Sequence, residues 1–231
     1  MATEKVLKPE EEALGSAMSK TEQFFEENSK KVIYVLVALL VVAAVVFGCK
    51  KLVSEPRAQK AAEMIAEAQY RFESATPDYE LALYGDENGA GFADVVDSYG
   101  STPAGNLAKH YAGICCLRLG DLDKAQEYLA KYSPVKGIPG AVINAQNYGL
   151  QGDVYVQKGD YSKAADLYRK AVEAADNVLT TPAYLKKLGL VYEKTGDRAA
   201  ALKAFNRIAD EYPMSIEARE AGKFIGAAEQ E

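Results

Sequence analysis

The hexapeptides GDLDKA (120–125), GDYSKA (159–164) and GDRAAA (196–201) share one pattern: Gly-Asp, three variable residues, then Ala. The match extends to both sides. Seven residues before each leading glycine stands another glycine: Gly113, Gly152 and Gly189. Four before it come Cys116, Tyr155 and Tyr192, and nine after it come Leu129, Tyr168 and Phe205. The spacing has a physical reading. A Gly-Asp pair ends one helix, with glycine in a left-handed conformation, and starts the next. The earlier glycine allows the first helix to approach its partner closely. The alanine keeps the second helix near the first, and the large residue four later fills the remaining gap on the same face. Each unit is therefore expected to be a helical hairpin with small-to-large packing.

Composition agrees with that reading. The 231 residues are 48% hydrophobic and 26% charged, enough for a core, with 15 tyrosines and no tryptophan. Abundant alanine with regularly placed aromatics points to closely packed helices. The net charge of −6 argues against a nucleic-acid binder, which needs a basic face for phosphates. Three cysteines, two of them adjacent, do not make a disulfide framework. One histidine excludes a histidine metal cluster within one copy.

The hairpin units resemble the tetratricopeptide repeat (TPR), a 34-residue helix-turn-helix with Gly at its eighth position and Ala at its twentieth. In that frame the units are 106–139, 145–178 and 182–215, with inserted loops at SPVKGIPGAV (133–142) and around DNVLTTP (176–182). Pro213 stands at the repeat's proline position. A degenerate unit precedes them at about 57–100. FADVVDSYGSTPA aligns with FNRIADEYPMSIEA, pairing Phe92 with Phe205, Val95 with Ile208, Asp97 with Asp210 and Tyr99 with Tyr212. Its first helix, Arg57 to Ala75, carries Ala61, Ile65, Ala68 and Phe72 at helical spacing. The stretch LYGDENGAG is expected to be a flexible connection; it lacks the alternating acidic ligands and final glutamate of a calcium loop. Residues 216–231 read as a polar capping helix.

Ahead of the repeats, Val32 to Cys49 is an 18-residue run without charge, roughly 27 Å as a helix. That approaches the bilayer core of about 30 Å. Lys30 and Lys31 flank one end and Lys50 and Lys51 the other, able to snorkel, and Tyr34 sits at an interfacial position. Gly48-Cys49 also fits the end of a lipoprotein signal. The 31-residue leader, with five lysines and seven glutamates, and the bulky Phe47 favour an uncleaved anchor. Cys49 would matter chemically only if lipidated. Lysine and arginine counts near the span, three before and four after, leave the orientation open. The acidic clusters Glu10-Glu11-Glu12 and Glu26-Glu27 read as solvated faces of the tail.

The expected architecture is all-α. A polar tail (1–31) precedes a single transmembrane helix (32–49). A TPR-like α-solenoid (52–231) of about four hairpins follows, with its C-terminal cap. In the TPR frame the second, fifth, ninth and twelfth positions of each first helix face the concave side. They are Leu107, His110, Ile114 and Leu117, then Gln146, Gly149, Asp153 and Val156, then Ala183, Lys186, Leu190 and Glu193. The candidate partner-binding groove is drawn from these: Leu107, His110, Ile114, Leu117, Gln146, Asp153, Val156, Lys186, Leu190 and Glu193. The two-carboxylate clamp of the family's chaperone-tail binders is absent, because Ile114, Asp153 and Leu190 stand where its asparagines would sit. The mixed groove, apolar near Leu107, Ile114 and Leu117, suits apolar partner segments. His110 has no identifiable partner for catalysis. Cys115 and Cys116 read as small, inert core residues. No catalytic residue, cofactor site or metal site is expected.

A lysine-flanked span followed by degenerate TPR units resembles the bacterial TPR proteins ancillary to the Sec translocon. GFADVVDSYGSTPAGNLAKHYAGICCLRLGDLDKAQEYL (91–129) carries most of that similarity. The resemblance implies a non-enzymatic, single-pass inner-membrane protein with its N-terminus cytoplasmic and its repeats periplasmic. Implied partners are the Sec translocon, a membrane-bound periplasmic chaperone of the prolyl-isomerase type, exported polypeptides and membrane lipid, but no nucleic acid. The alternative is a lipoprotein scaffold, lipidated at Cys49, in an envelope or outer-membrane assembly complex.

Overall fold

A computed structural model describes the backbone from residue 9 to residue 228 and side chains from 28 to 226. The first eight residues of the expected polar tail lie outside the described residues. The chain divides into two compact units, Met1–Pro56 and Arg57–Glu231.

In the first unit, α1 (Pro9–Cys49) joins the described tail and the apolar run in one helix. At Cys49 the α-helix gives way to a π-helical turn, Lys50–Ser54, closed by Glu55 N–H donating to the Lys50 carbonyl. No part of the most apolar 18-residue window is buried, and its mean hydropathy is 3.0. Leu40 is 70% exposed and Phe47 66%. By length and composition this helix is able to cross a membrane.

Among the described residues, the second unit consists of helices joined by loops and one small β-hairpin. After α2 (Glu55–Phe72) come α3 (Tyr79–Tyr84), β1 (Gly85–Asp86), β2 (Gly89–Ala90) and α4 (Phe92–Tyr99). Three hairpins follow: α5 (Pro103–Arg118) with α6 (Leu122–Lys131), α7 (Ile138–Gln157) with α8 (Tyr161–Ala174), and α9 (Thr181–Thr195) with α10 (Arg198–Glu211). α11 (Ile216–Ala228) closes the stack against α10.

The Gly-Asp turns form as their chemistry requires. Gly120, Gly159 and Gly196 have φ of 82°, 78° and 82°, the left-handed region open to glycine. The following aspartate N–H donates back to the carbonyl of Cys116, Tyr155 or Tyr192, closing the helix end. The same aspartate then caps the next helix. Its carboxylate accepts from Lys124 N–H, Lys163 N–H or Ala200 N–H. Behind the turns, a Cβ on Gly113, Gly152 or Gly189 would collide with the Leu129, Tyr168 or Phe205 side chain respectively. Small and large residues thus meet in register three times, which lets the paired helices lie close.

Two apolar clusters share α7. One runs from α2 to α6 and takes in Val154; the other begins at Ala145 and runs through α8–α11. The stretch expected to be a flexible connection is ordered instead. Asp78 caps α3, accepting from Leu81 N–H, and the short hairpin pairs Gly85 with Ala90. Arg71 on α2 holds this insert, bonding the Asp86 carboxylate at 2.7 Å and the Gly89 carbonyl at 3.1 Å. Ala82, Leu83 and Phe92 are thereby buried against Ile65 and Ala68. α5 starts at Pro103 rather than 106, with the Thr102 hydroxyl capping Gly105 N–H. The SPVKGIPGAV insertion is a loop only to Gly137. Pro139 in the first turn of α7 starts that helix early, so the expected boundary at 139 falls inside it. The cap is not purely solvating: Phe224 stacks on Phe205 with centroids 4.7 Å apart, and Ala221 is buried.

Candidate functional site

The first helices α5, α7 and α9 present two adjoining depressions. The first, about 400 Å³, lies between α5 and α7 and is lined by Ile114, Leu117, Arg118, Leu150, Asp153, Val156 and Gln157. The second, about 350 Å³, lies among α7, α8 and α9. It is lined by Val156, Tyr161, Tyr168, Lys187, Leu190, Val191 and Lys194. Val156 belongs to both. Of the residues expected to line the groove, Ile114, Leu117, Asp153, Val156 and Leu190 are brought together here.

Other expected groove residues sit elsewhere. His110 is only 2% exposed and faces the joint between hairpins, not the groove surface. Asn147 Nδ2 lies 3.3 Å from its Nδ1. Gln151 donates to Asn147 Oδ1 at 2.8 Å, and Gln126 donates to Gln151 Oε1 at 3.3 Å. A buried chain of neutral polar groups thus links α5, α6 and α7. Burial pushes His110 down to about 4, against a weaker opposing hydrogen bond with Gln146. Its imidazole is therefore neutral near pH 7, which suits Nδ1 to accept from Asn147. Gln146 itself is exposed at the surface end of this contact. Leu107 packs partly buried on the first apolar cluster. Gly149 is buried because the Tyr184 ring occupies the space a Cβ would need. Lys186 turns to the cap and pairs with Glu220 at 2.6 Å. Glu193 is exposed and borders neither depression.

Between the two depressions stands a closed polar cluster. Lys187 Nζ donates to both Asp153 oxygens at 2.7 Å and lies over the Tyr168 and Tyr184 rings. Tyr168 donates its hydroxyl to Asp153 at 2.6 Å. Burial first, then the bond to Asp153, raises the Tyr168 phenol, so it stays a donor. Asp153 is thus paired with Lys187 and offers the groove no unbalanced charge. Arg118 and Lys194 are exposed at the outer rims, and among the described residues neither has a charged partner.

The sequence frame missed Arg118, Leu150, Gln157, Lys187, Val191 and Lys194 on the first helices, and Tyr161 and Tyr168 on α8. A period was available: Leu150 and Lys187 hold the sixth position of their units, and Arg118, Gln157 and Lys194 the thirteenth. These positions are two turns apart and adjoin the fifth and twelfth. Cys115 and Cys116 are buried, and burial pushes their thiols up to about 12 and about 11, so neither is a ready thiolate. Cys49 is exposed.

Residues 150–216 match the tetratricopeptide repeat family. No curated protein matches the chain. Among solved structures, a crystal structure of MamA protein superposes with a TM-score of 0.53 at 19% identity. It covers 75% of this chain and 81% of that one. A second MamA crystal structure gives 0.46 at 22% identity, covering 60% of this chain and 77% of that one. BtubC (BKLC) from P. vanneervenii gives 0.41 at 15%, covering 96% and 92%. The repeat match and the MamA superposition at 0.53 agree with the three Gly-Asp hairpins: the fold is all-α, a TPR-like solenoid preceded by one long apolar helix.

Proposed function

We propose that the chain is a non-enzymatic, membrane-anchored scaffold. Its repeats hold partner proteins beside the Sec translocon on the periplasmic side and assist exported polypeptides. The observation that carries this reading is the fully exposed apolar stretch of α1 in a chain whose remainder is a repeat solenoid. Exposed apolar surface of that length is favourable only against lipid or another apolar partner. Repeat solenoids of this kind present extended concave surfaces suited to protein partners. The lysine tie leaves orientation to the resemblance noted above, which gives N-terminus inside. Crosslinking the full-length protein in native membranes, followed by pull-down, tests the reading. Recovery of translocon and periplasmic chaperone subunits is expected; recovery of neither overturns it.

The exposure of Cys49 at the end of α1 supports one alternative, a lipidated scaffold of an envelope assembly complex. Intact mass separates the two. An uncleaved chain supports the anchor, and loss of the first 48 residues with an added lipid supports the alternative.

A further inference from the structure

We propose that one edge of the second unit, formed by the connections between hairpins, rests on the bilayer and dips its apolar side chains into the lipid. The occupant of this edge is the lipid surface itself. The proposal rests on the reading of α1 as a membrane anchor and adds a second membrane contact to it.

Antiparallel packing puts the Gly-Asp turns at one end of the hairpins and the connections between hairpins at the other. The two ends differ in what they expose. Val135 and Ile138 are exposed where α6 connects to α7, Val178 and Leu179 between α8 and α9, and Met214 and Ile216 between α10 and α11. Met214 is 94% exposed and Val178 81%. Among the described residues, the Gly-Asp turns expose one large apolar side chain, Leu119. The connections are ordered. Asn177 Oδ1 accepts from Leu179 N–H and Thr180 N–H, each at 2.9 Å, and Tyr212 donates its hydroxyl to Asp176. Ser215 N–H donates to the Tyr212 carbonyl at 2.9 Å. Val178 and Met214 line one depression of about 420 Å³ with Tyr212 and Pro213, so the last two connections adjoin. Ordered turns that hold apolar side chains out together mark a surface that meets a protein or a membrane.

Chain connectivity selects the membrane. Arg57, the first residue of the second unit, donates to the Ser98 carbonyl at 2.6 Å and lies over the Tyr99 ring, 5.5 Å from its centroid. Ser98 and Tyr99 end α4, just before its connection to α5, so α2 begins at this same edge. Asn106 continues the edge, bonding the Ser133 carbonyl at 2.7 Å and the Ser133 N–H at 2.8 Å. The chain leading from the apolar helix therefore joins the repeats at the edge that exposes apolar side chains. Only residues 50–56 intervene, so Arg57 stays within about 30 Å of Cys49 even at full extension. A tether that short holds the edge near the bilayer at an effective concentration on the order of millimolar, so weak insertion suffices. Charge agrees with apolar insertion. Asp176 and Glu211 both pair with Arg207, and the exposed Lys136 and part-buried Glu217 are opposite in sign. The contact thus draws on apolar burial and needs no anionic lipid.

The test uses the full chain, one copy per phosphatidylcholine nanodisc, carrying Cys49→Ser so that the buried Cys115 and Cys116 are the remaining thiols. A fluorophore is attached at Leu40→Cys, Leu179→Cys, Met214→Cys or Ser162→Cys in turn, and its quenching by nitroxide-bearing acyl chains is read. Ser162 is exposed beside a Gly-Asp turn and serves as the blank. Inserted side chains reach about 5–10 Å into the headgroup and acyl boundary, so the Leu179→Cys and Met214→Cys labels should be quenched about threefold more than the blank. Adding Val178→Ser/Ile216→Ser should bring the Met214→Cys label down to the blank, and high salt should leave its quenching unchanged. Quenching equal to the blank, an unchanged label in the serine variant, or loss of quenching in high salt each overturns the proposal. Shielding of the Met214→Cys label only in discs holding two chains marks a second copy as the occupant and also overturns it. Quenching at Leu40→Cys alone sinks this proposal and leaves the anchor standing. No quenching at Leu40→Cys sinks the anchor and this proposal with it. The discs hold no translocon, so a failed pull-down with the quenching pattern intact sinks the translocon reading alone.

Discussion

The two joints between successive hairpins are built by different chemistry. Where α5–α6 meets α7–α8, the contact is a buried chain of neutral groups, Gln126, Gln151, Asn147 and His110. Where α7–α8 meets α9–α10, the Tyr184 ring fills the notch at Gly149 beside Tyr168, and Lys187 lies across both rings onto Asp153. Repeat geometry thus constrains the helices and their turns. It leaves the joint free to be polar and neutral or aromatic and ionic. The first joint is exposed to acid, and the second to steric change and salt.

The largest expected effect breaks the second joint alone. Gly149→Leu drives a branched side chain into the Tyr184 ring. A loss of about 3 kcal/mol is expected, less any gain in helix propensity. Denaturation of the full chain in mild detergent reads the loss. Hydrogen exchange should rise in α7–α10 more than in α2–α4.

Acid acts on the first joint with comparable size. His110 titrates about 4 when folded and near 6.5 when unfolded, so between those values the unfolded chain binds more protons. Its contribution is fully present above pH 6.5, declines as pH falls, and is lost once pH passes below about 4. The total is about 3 kcal/mol. His110→Gln should flatten the fall in denaturation midpoint over that window. An unchanged slope would mean the imidazole is not held neutral by burial.

A smaller effect is expected at the ion pair. Lys187 and Asp153 are partly exposed, so their coupling in a double-mutant cycle of Lys187→Met with Asp153→Asn should be about 1 kcal/mol and shrink with salt. The Gln126–Gln151 contact should show no such salt dependence. The smallest differences belong to the turns inside the three hairpins, which lie away from both joints. Asp121→Ala, Asp160→Ala and Asp197→Ala should each cost about 1 kcal/mol, nearly equally, because each removes the same cap.

These contrasts mark what the sequence made legible. The turns and the glycine-to-large-residue pairs were readable because each depends on local conformation and a fixed spacing. The lining of the two depressions was partly legible. Ile114, Leu117, Asp153, Val156 and Leu190 follow from periodicity, but the frame treats every unit alike. It could not see that Asn147, itself bonded by Gln151, meets a buried His110, or that Glu220 on α11 claims Lys186. Those outcomes depend on the neighbouring hairpin, not on the unit itself. The LYGDENGAG stretch failed for a related reason. Its glycines and acids look flexible until Arg71, on another helix, supplies the charge and donors that order them.

The proposed membrane anchoring and periplasmic orientation of the solenoid are tested most directly by alkaline phosphatase fused to the C-terminus of the full chain in a bacterial cell. Enzymatically active fusion, recovered with the membrane and retaining residues 1–49, is expected. An inactive fusion with the repeats in the cytosol, or an active one released from the membrane, would contradict it.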